Sequence, residues 1–249
     1  MSINLSKIKM TQKFDYINHY KIDAEEFDYF EERTGATEHD ERRVHEFILS
    51  KISKNCDSIL DVGSGSAWVA DQFKKTEVKI ISLDISKKNA VKAKEKVNTD
   101  THSPIVADSF KLPFQSNSFD TVIASEIIEH VVEPKWFVKE LFRVVKPIGK
   151  LIITTPYKEK LRYYLCVHCN QKTPVHAHIH SFDEKKLLSL LPNDGNINSW
   201  ETFGNKLLIF LRTYIVLQYF SFKIWKFIDI IGNKMKNIPA HIIVIYNKN

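Results

Sequence analysis

The feature that most constrains this chain is a strand-like run that ends on an acidic residue and two alternate glycines, ILDVGSGSAWVA from Ile59, followed by more strand-like and helix-like segments in alternation. SILDV from Ser58 is a short apolar run stopped by glycine, and AWVADQFKK after it has helical character. KIISLDI from Lys79 and SPIVAD, which ends at Asp108, enclose the lysine-rich helix SKKNAVKAKEKV, and TVIASEI from Thr121 and KLIITTP from Lys150 enclose the helix PKWFVKELFRVV. Strands separated by helices pair in parallel, because each crossover lays a helix on a face of the sheet, and ligands then bind at the carboxyl ends of the strands. The pattern predicts an α/β fold, a parallel sheet covered on both faces.

At 249 residues and 43% hydrophobic content the chain can bury one sizeable core. The first fifty residues are polar up to Asp40, after which Val44, Phe47, Ile48, Leu49 and Ile52 fall at helical spacing. Residues 1–50 are therefore expected to form lid and lead-in helices, and residues 51–249 the main domain. The net charge of +6 and pI near 9.0 come from lysines spread along the chain without a block, the pattern of a solvated surface, which argues against a nucleic-acid partner. The N-terminus lacks the apolar core of a secretory signal, which points to the cytoplasm, and three cysteines there argue against a disulfide scaffold.

Asp61 ends the first predicted strand, and Gly63 and Gly65 follow where the chain turns into a helix, so the backbone can approach a ligand closely. A dinucleotide fingerprint needs a third glycine where this chain has Trp68, which would crowd a pyrophosphate. Asp84, closing the next strand about twenty residues on, stands where a carboxylate can accept hydrogen bonds from ribose hydroxyls. Asp108 closes the strand after that. The plain alternative for Asp84 is a helix cap or a surface charge.

The order acidic, x, Gly, x, Gly is similar to the first motif of the class I S-adenosylmethionine-dependent methyltransferases, with Ala67 in the place of the family's third glycine. The block from Ala107 to Val131, including Leu112, Pro113, Phe114, Ser118, Phe119 and Asp120, resembles the corresponding block of the type 11 methyltransferases. The resemblance implies a Rossmann-like fold with a mainly parallel seven-stranded sheet and S-adenosylmethionine as cofactor. It implies that Asp61, Gly63 and Gly65 hold the amino acid end of that cofactor, Asp84 the ribose, and Asp108 with the Ser109 amide the adenine. Ile85 and Ser125 complete the implied set, and Asp120 is read as a structural cap.

Methyl transfer from a sulfonium is an in-line displacement, so a nucleophile must be held in line and lose its proton. Glu126, Glu129 and His130 stand at i, i+3 and i+4 and would share one face if that turn is helical. Such ligands suit Mg²⁺, Mn²⁺ or Zn²⁺, which lower the pKa of a hydroxyl. The E-x-x-E-H pattern resembles that of the small-RNA terminal 2′-O-methyltransferases and some ubiquinone-pathway O-methyltransferases, where it holds a divalent ion with a later histidine; the alternative is that these side chains only shape the site. His176, His178 and His180 are candidates for that histidine. They lie in an insert over 157–182 where Cys166-x-x-Cys169, with His178 and His180, also has the ligand types of a Cys₂His₂ zinc knuckle. Free thiols on a loop are an equal alternative, and a redox pair is disfavoured because the motif opens no helix.

Residues 206–236 are predicted as an inserted helical segment, apolar on nearly every face but interrupted by Arg212, Lys223, Lys226 and Asp229, so no uncharged run is long enough to span a membrane. Either it lies in a membrane interface, or it covers the substrate cleft or forms a homodimer face. The resulting expectation is a methyltransferase acting on oxygen of a small or lipid-linked, polyketide-like or quinone-like acceptor. The rivals are an RNA ribose 2′-O-methyltransferase and a non-catalytic methyltransferase-like binding protein, which would need to have lost cofactor contacts such as Asp61 and Asp84.

Overall fold

Ile59, Leu60 and Val62 in the first strand are all buried, and a strand apolar on both sides needs a cover on each. The computed structural model describes residues 14–192 and 195–249 and supplies both covers. In chain order, α1 (Tyr16–Glu26) and α2 (Gly35–Leu49) precede β1 (Ser58–Val62), α3 (Trp68–Phe73), β2 (Lys79–Asp84), α4 (Lys87–Lys96), β3 (His102–Val106) and β4 (Phe119–Ser125). Then come α5 (Pro134–Val144), β5 (Val145–Pro156), the short strands β6 (Tyr163–Leu165) and β7 (Lys172–Pro174), and α6 (Glu184–Leu188). β8 (Gly195–Asn205), α7 (Lys206–Phe210), α8 (Tyr214–Leu217), α9 (Phe222–Met235) and β9 (Pro239–Lys248) close the fold.

The seven-stranded sheet has the order β3-β2-β1-β4-β5-β9-β8. β1 to β5 run parallel, while β9 is antiparallel to both β5 and β8. The strand order reverses between β1 and β4, which makes the carboxyl ends of those strands the switch point where such sheets bind ligands. This is the expected mainly parallel Rossmann-like sheet; its last two strands pair antiparallel because they follow one another without a crossover to the opposite end. β6 and β7 form a separate hairpin.

Alternate strand residues divide the core. Leu60, Val122, Leu151 and Val244 pack with Phe137, Leu141 and Phe142 of α5 on one face. Ile59, Ile123, Ile152 and Ile243 pack with Val44, Phe47 and Ile48 of α2 and with Trp225 of α9 on the other. α2 is thus part of the covering layer, and α1 alone lies across the strand ends; residues 1–13 of the expected lid fall outside the described residues.

The predicted helical segment at 206–236 is three helices. The chain turns after α7 at Arg212, whose φ of +55° is incompatible with a continuing helix. Arg43 of α2 then caps the next bend: its guanidinium donates to the Leu217 and Phe220 carbonyls at 2.7 and 3.1 Å and lies 5.1 Å over the Trp225 ring.

Candidate active site

The loop after β1 is built from left-handed backbone. Gly63, Gly65 and Ala67 have φ of +68°, +45° and +55°. The Gly63 and Ser64 amides donate to the Leu83 carbonyl at 2.8 and 3.1 Å, pinning the loop to β2. A β-carbon on Gly63 would overlap Ile127 Cδ1, so the loop also packs against the turn after β4. Trp68 lies where a dinucleotide site would have glycine, and its ring stacks on His45 of α2 at 3.8 Å. A large residue fits there because α2 uses it as packing surface.

Three carboxylates converge around this loop. Asp84 accepts from the Ser86 amide at 2.8 Å, and from the Asn89 side chain and Gly65 amide at 3.3 Å each. Asp61 is buried and its Oδ2 has no partner; burial, then the nearby Asp84, push its pKa up to about 8. A buried oxygen of this kind calls for a donor, and a cationic amine satisfies both its charge and its hydrogen bonding. Asp108 accepts from the Phe110 amide at 2.9 Å and from the Tyr16 hydroxyl at 2.6 Å. Ile85 and Ser109 are half-buried beside Asp84 and Asp108, and the Ser125 hydroxyl at the end of β4 is 3.1 Å from that of Thr154. The fold gathers all eight expected residues at the carboxyl ends of β1 to β4.

The N-terminal segment adds residues that motif reading missed. Besides Tyr16, the Tyr29 ring would lie 3.7 Å from a β-carbon on Gly65, and the Tyr29 hydroxyl donates to Asp23. Tyr20 packs edge-on against His130 with ring centres 5.9 Å apart, and its buried hydroxyl has no partner. The available signal was the i, i+4 spacing of Tyr16 and Tyr20 on one face of the helix.

The shared face expected of Glu126, Glu129 and His130 is not formed. Glu126 leaves β4 with φ of +52°, and only Ile128–His130 make a 3₁₀ turn. Glu126 points to His241 of β9, with Oε2 3.3 Å from Nδ1, an ion pair. His241 Nε2 lies 2.9 Å from Asp40 Oδ2. Burial alone would depress His241, but Glu126 and Asp40 outweigh it and raise its pKa to about 10.

Glu129 and His130 meet a residue of the insert instead. Glu129 is buried, accepts from the Thr155 hydroxyl at 2.9 Å, and is pushed well above the usual carboxylate range by burial and by Glu126. Its carbonyl accepts from the Ile179 and His180 amides at 2.9 and 3.1 Å, which ties the insert to this turn. His178 thereby reaches His130, ring centres 4.7 Å apart, while its Nδ1 lies 2.6 Å from Glu159. Burial, then His178, lower the His130 pKa to about 4, and His130 Nδ1 is buried without a partner. Among the described residues, Glu129, His130 and His178 are the one group whose potential metal-ligating atoms lie within 4.8 Å of one another.

The Cys₂His₂ set of Cys166, Cys169, His178 and His180 is not assembled. The cysteines sit on the turn of the β6–β7 hairpin, where the Cys169 and His168 amides favour the Cys166 thiolate. The Glu129 carbonyl holds His178 and His180 against the main domain, away from that turn.

Residues 60–153 match the model of a family described as "Methyltransferase domain". The mitochondrial ubiquinone biosynthesis O-methyltransferase of Bos taurus is 28% identical over 155 residues, which cover 55% of this chain and 40% of that protein. The ubiquinone/menaquinone biosynthesis C-methyltransferase UbiE of Wigglesworthia glossinidia brevipalpis is 35% identical over 127 residues, covering 44% of this chain and 51% of its own. The chain thus spans about half, or less, of the curated relatives it matches. Among solved structures, an S-adenosylmethionine dependent methyltransferase from Mesorhizobium loti superposes with a TM-score of 0.60 at 14% identity, over 84% of this chain and 100% of that one, a likeness of fold.

Proposed function

From the premise that this chain carries a class I methyltransferase domain of the type 11 family, in residues 60–153, we propose that it transfers the methyl group of S-adenosylmethionine to a hydroxyl oxygen of a small, lipid-like acceptor. The observation that carries the cofactor assignment is the orphaned buried Oδ2 of Asp61 beside a glycine loop. It fits the cationic amino group of that cofactor, while Asp84 fits the ribose hydroxyls and Asp108 the adenine amino group. Each oxygen of Asp108 keeps one lone pair after its bonds to Tyr16 and Phe110. Bound S-adenosylmethionine supplies an electrophilic methyl group on a sulfonium, so the protein's work is to position the acceptor and take its proton.

His130 is the residue we assign to that proton. Its pKa of about 4 keeps it neutral near pH 7, its Nδ1 has no partner, and it follows the turn on which Gly63 packs. Tyr20 lies against its ring and positions it. In a second reading, Glu129, His130 and His178 are a carboxylate and two imidazoles that would hold a divalent ion; the ion would then lower the pKa of an acceptor hydroxyl, in place of proton removal by a free His130. The relatives named for ubiquinone and menaquinone biosynthesis support a lipid-like acceptor.

The test has two stages. Calorimetry with S-adenosylhomocysteine should give one site per chain, and its failure would remove the cofactor assignment. Transfer of labelled methyl from S-adenosylmethionine to matched phenolic and amine acceptors should then label the phenols, and His130→Ala should lower turnover by about a hundredfold or more. Label on amines alone would overturn the oxygen assignment.

A further inference from the structure

Helix α9 is apolar on two faces: Phe222, Trp225 and Ile228 pack into the core beside α2, and a second apolar stripe faces water. Its inward face also carries Asp229, Gly232 and Asn233; Asp229 is buried and accepts from the Asn205 amide at 2.7 Å, the Gly204 amide at 3.2 Å and the Asn233 side chain at 3.1 Å. Its outward stripe, at i, i+3, i+7 and i+11, is Ile224, Phe227, Ile231 and Met235, with Phe227 64% and Met235 81% exposed. Surface helices of water-soluble domains put the apolar stripe inside. α7 packs beside it, with Leu208 Cδ1 3.1 Å from where a β-carbon on Gly232 would stand, and ends in Phe210, 80% exposed. Tyr219, between α8 and α9, is 83% exposed.

The exposed charges that this segment itself carries around the apolar surface have one sign. Over 206–236 the sequence has six basic residues and one acid, and the acid, Asp229, faces inward. Lys226 pairs with Glu201, and Lys206, Arg212, Lys223, Lys234 and Lys236 are exposed. Two occupants suit an apolar face, a second copy of the chain or a lipid surface. A two-fold dimer sets the same patch against itself, so this basic rim would meet its own copy. An anionic bilayer complements it: lysines and arginine reach the headgroups while phenylalanine, isoleucine and methionine enter the acyl boundary. No helix among the described residues is long and apolar enough to cross a membrane, so the contact is along the surface.

We infer that α9, with the end of α7 and the turn before α9, docks the protein on an anionic membrane surface, apolar stripe down. This inference stands independently of the assigned reaction.

The experiment is flotation of the full chain with vesicles of phosphatidylcholine alone or of equal parts phosphatidylcholine and phosphatidylglycerol. Partition into the mixed vesicles and not the neutral ones is expected, weakening as salt is raised. Phe227→Asp with Ile231→Asp, and separately Lys223→Glu with Lys234→Glu, should each lower it by about tenfold or more. The side chains are exposed, so the variants should melt like the parent. Ile148→Asp, at another site that is 90% exposed, should float like the parent. Absence of binding to mixed vesicles, equal binding by the Phe227/Ile231 variant, or a lipid-free dimer in analytical ultracentrifugation that this variant dissolves would each overturn the inference.

Discussion

Asp61 and Gly63 define the ligand loop by opposite means, one by an unmet electrostatic demand and the other by a backbone shape. Because the free carboxyl of Asp61 titrates at about 8, pairing with a cationic amine must expel its proton at neutral pH. Affinity for S-adenosylhomocysteine should therefore rise with pH up to about 8 and level off above it. Asp61→Asn should flatten that profile in calorimetry; an unchanged slope would assign the titration elsewhere. Gly63→Ala combines φ of +68° with a clash on Ile127, and it should cost about 1–3 kcal/mol in chemical denaturation. Much of this was legible in the sequence, since an acidic residue, two alternate glycines and two strand-ending aspartates have a fixed chemical meaning. Glu126 was not, because its positive φ has no sequence signature in a non-glycine residue, and that one dihedral sends the side chain to His241. The approach of His178 to His130 was equally hidden, depending as it does on amides of Ile179 and His180 finding the Glu129 carbonyl.

At the scale of elements, legibility followed hydrophobic period. The central strands were readable because a short run buried on both faces ends abruptly at glycine or aspartate, whereas residues 206–236 carry apolar residues on nearly every face and give no clear period to divide into α7, α8 and α9. What fixes α9 in place is polar: Asp229 caps the Gly204 and Asn205 amides at the end of β8. Removing it leaves two buried donors without acceptors, so Asp229→Ala should lose about 2–4 kcal/mol. It should also speed hydrogen exchange across 222–235 more than in β1. Equal exchange in both elements would mean that α9 is held by the packing of Phe222, Trp225 and Ile228 instead.

Over the whole molecule, His241 joins α2 through Asp40, the turn after β4 through Glu126, and its own strand β9. Its folded pKa of about 10 lies above the ordinary 6.5, so the stabilisation is complete below 6.5 and is lost as pH rises through 10. On the acid side, burial depresses His39, His45 and His130 to about 4, 3 and 4, so the unfolded chain binds protons as pH falls below 6.5 and the folded chain does not. Urea midpoints should fall on both sides of neutrality, and His241→Gln should shrink the alkaline loss from a lower neutral value, the remainder coming from Asp61 and the buried tyrosines, whose pKa values burial also raises. An alkaline loss unchanged in that variant would exclude His241 as its cause.

The sheet order also governs how the protein is made. β9 lies between β5 and β8, yet it is translated after β8 and after all three helices of the tail. On the ribosome, β8 has no strand to join until residues 239–248 have emerged, so the tail helices have α2 to pack on but not the finished sheet edge. Vectorial synthesis thus leaves completion of this sheet edge to the last ten residues. Chains stalled with Lys236 just emerged should be cleaved by protease throughout 195–236, and protection of that stretch at that length would show that the tail finds its place without β9.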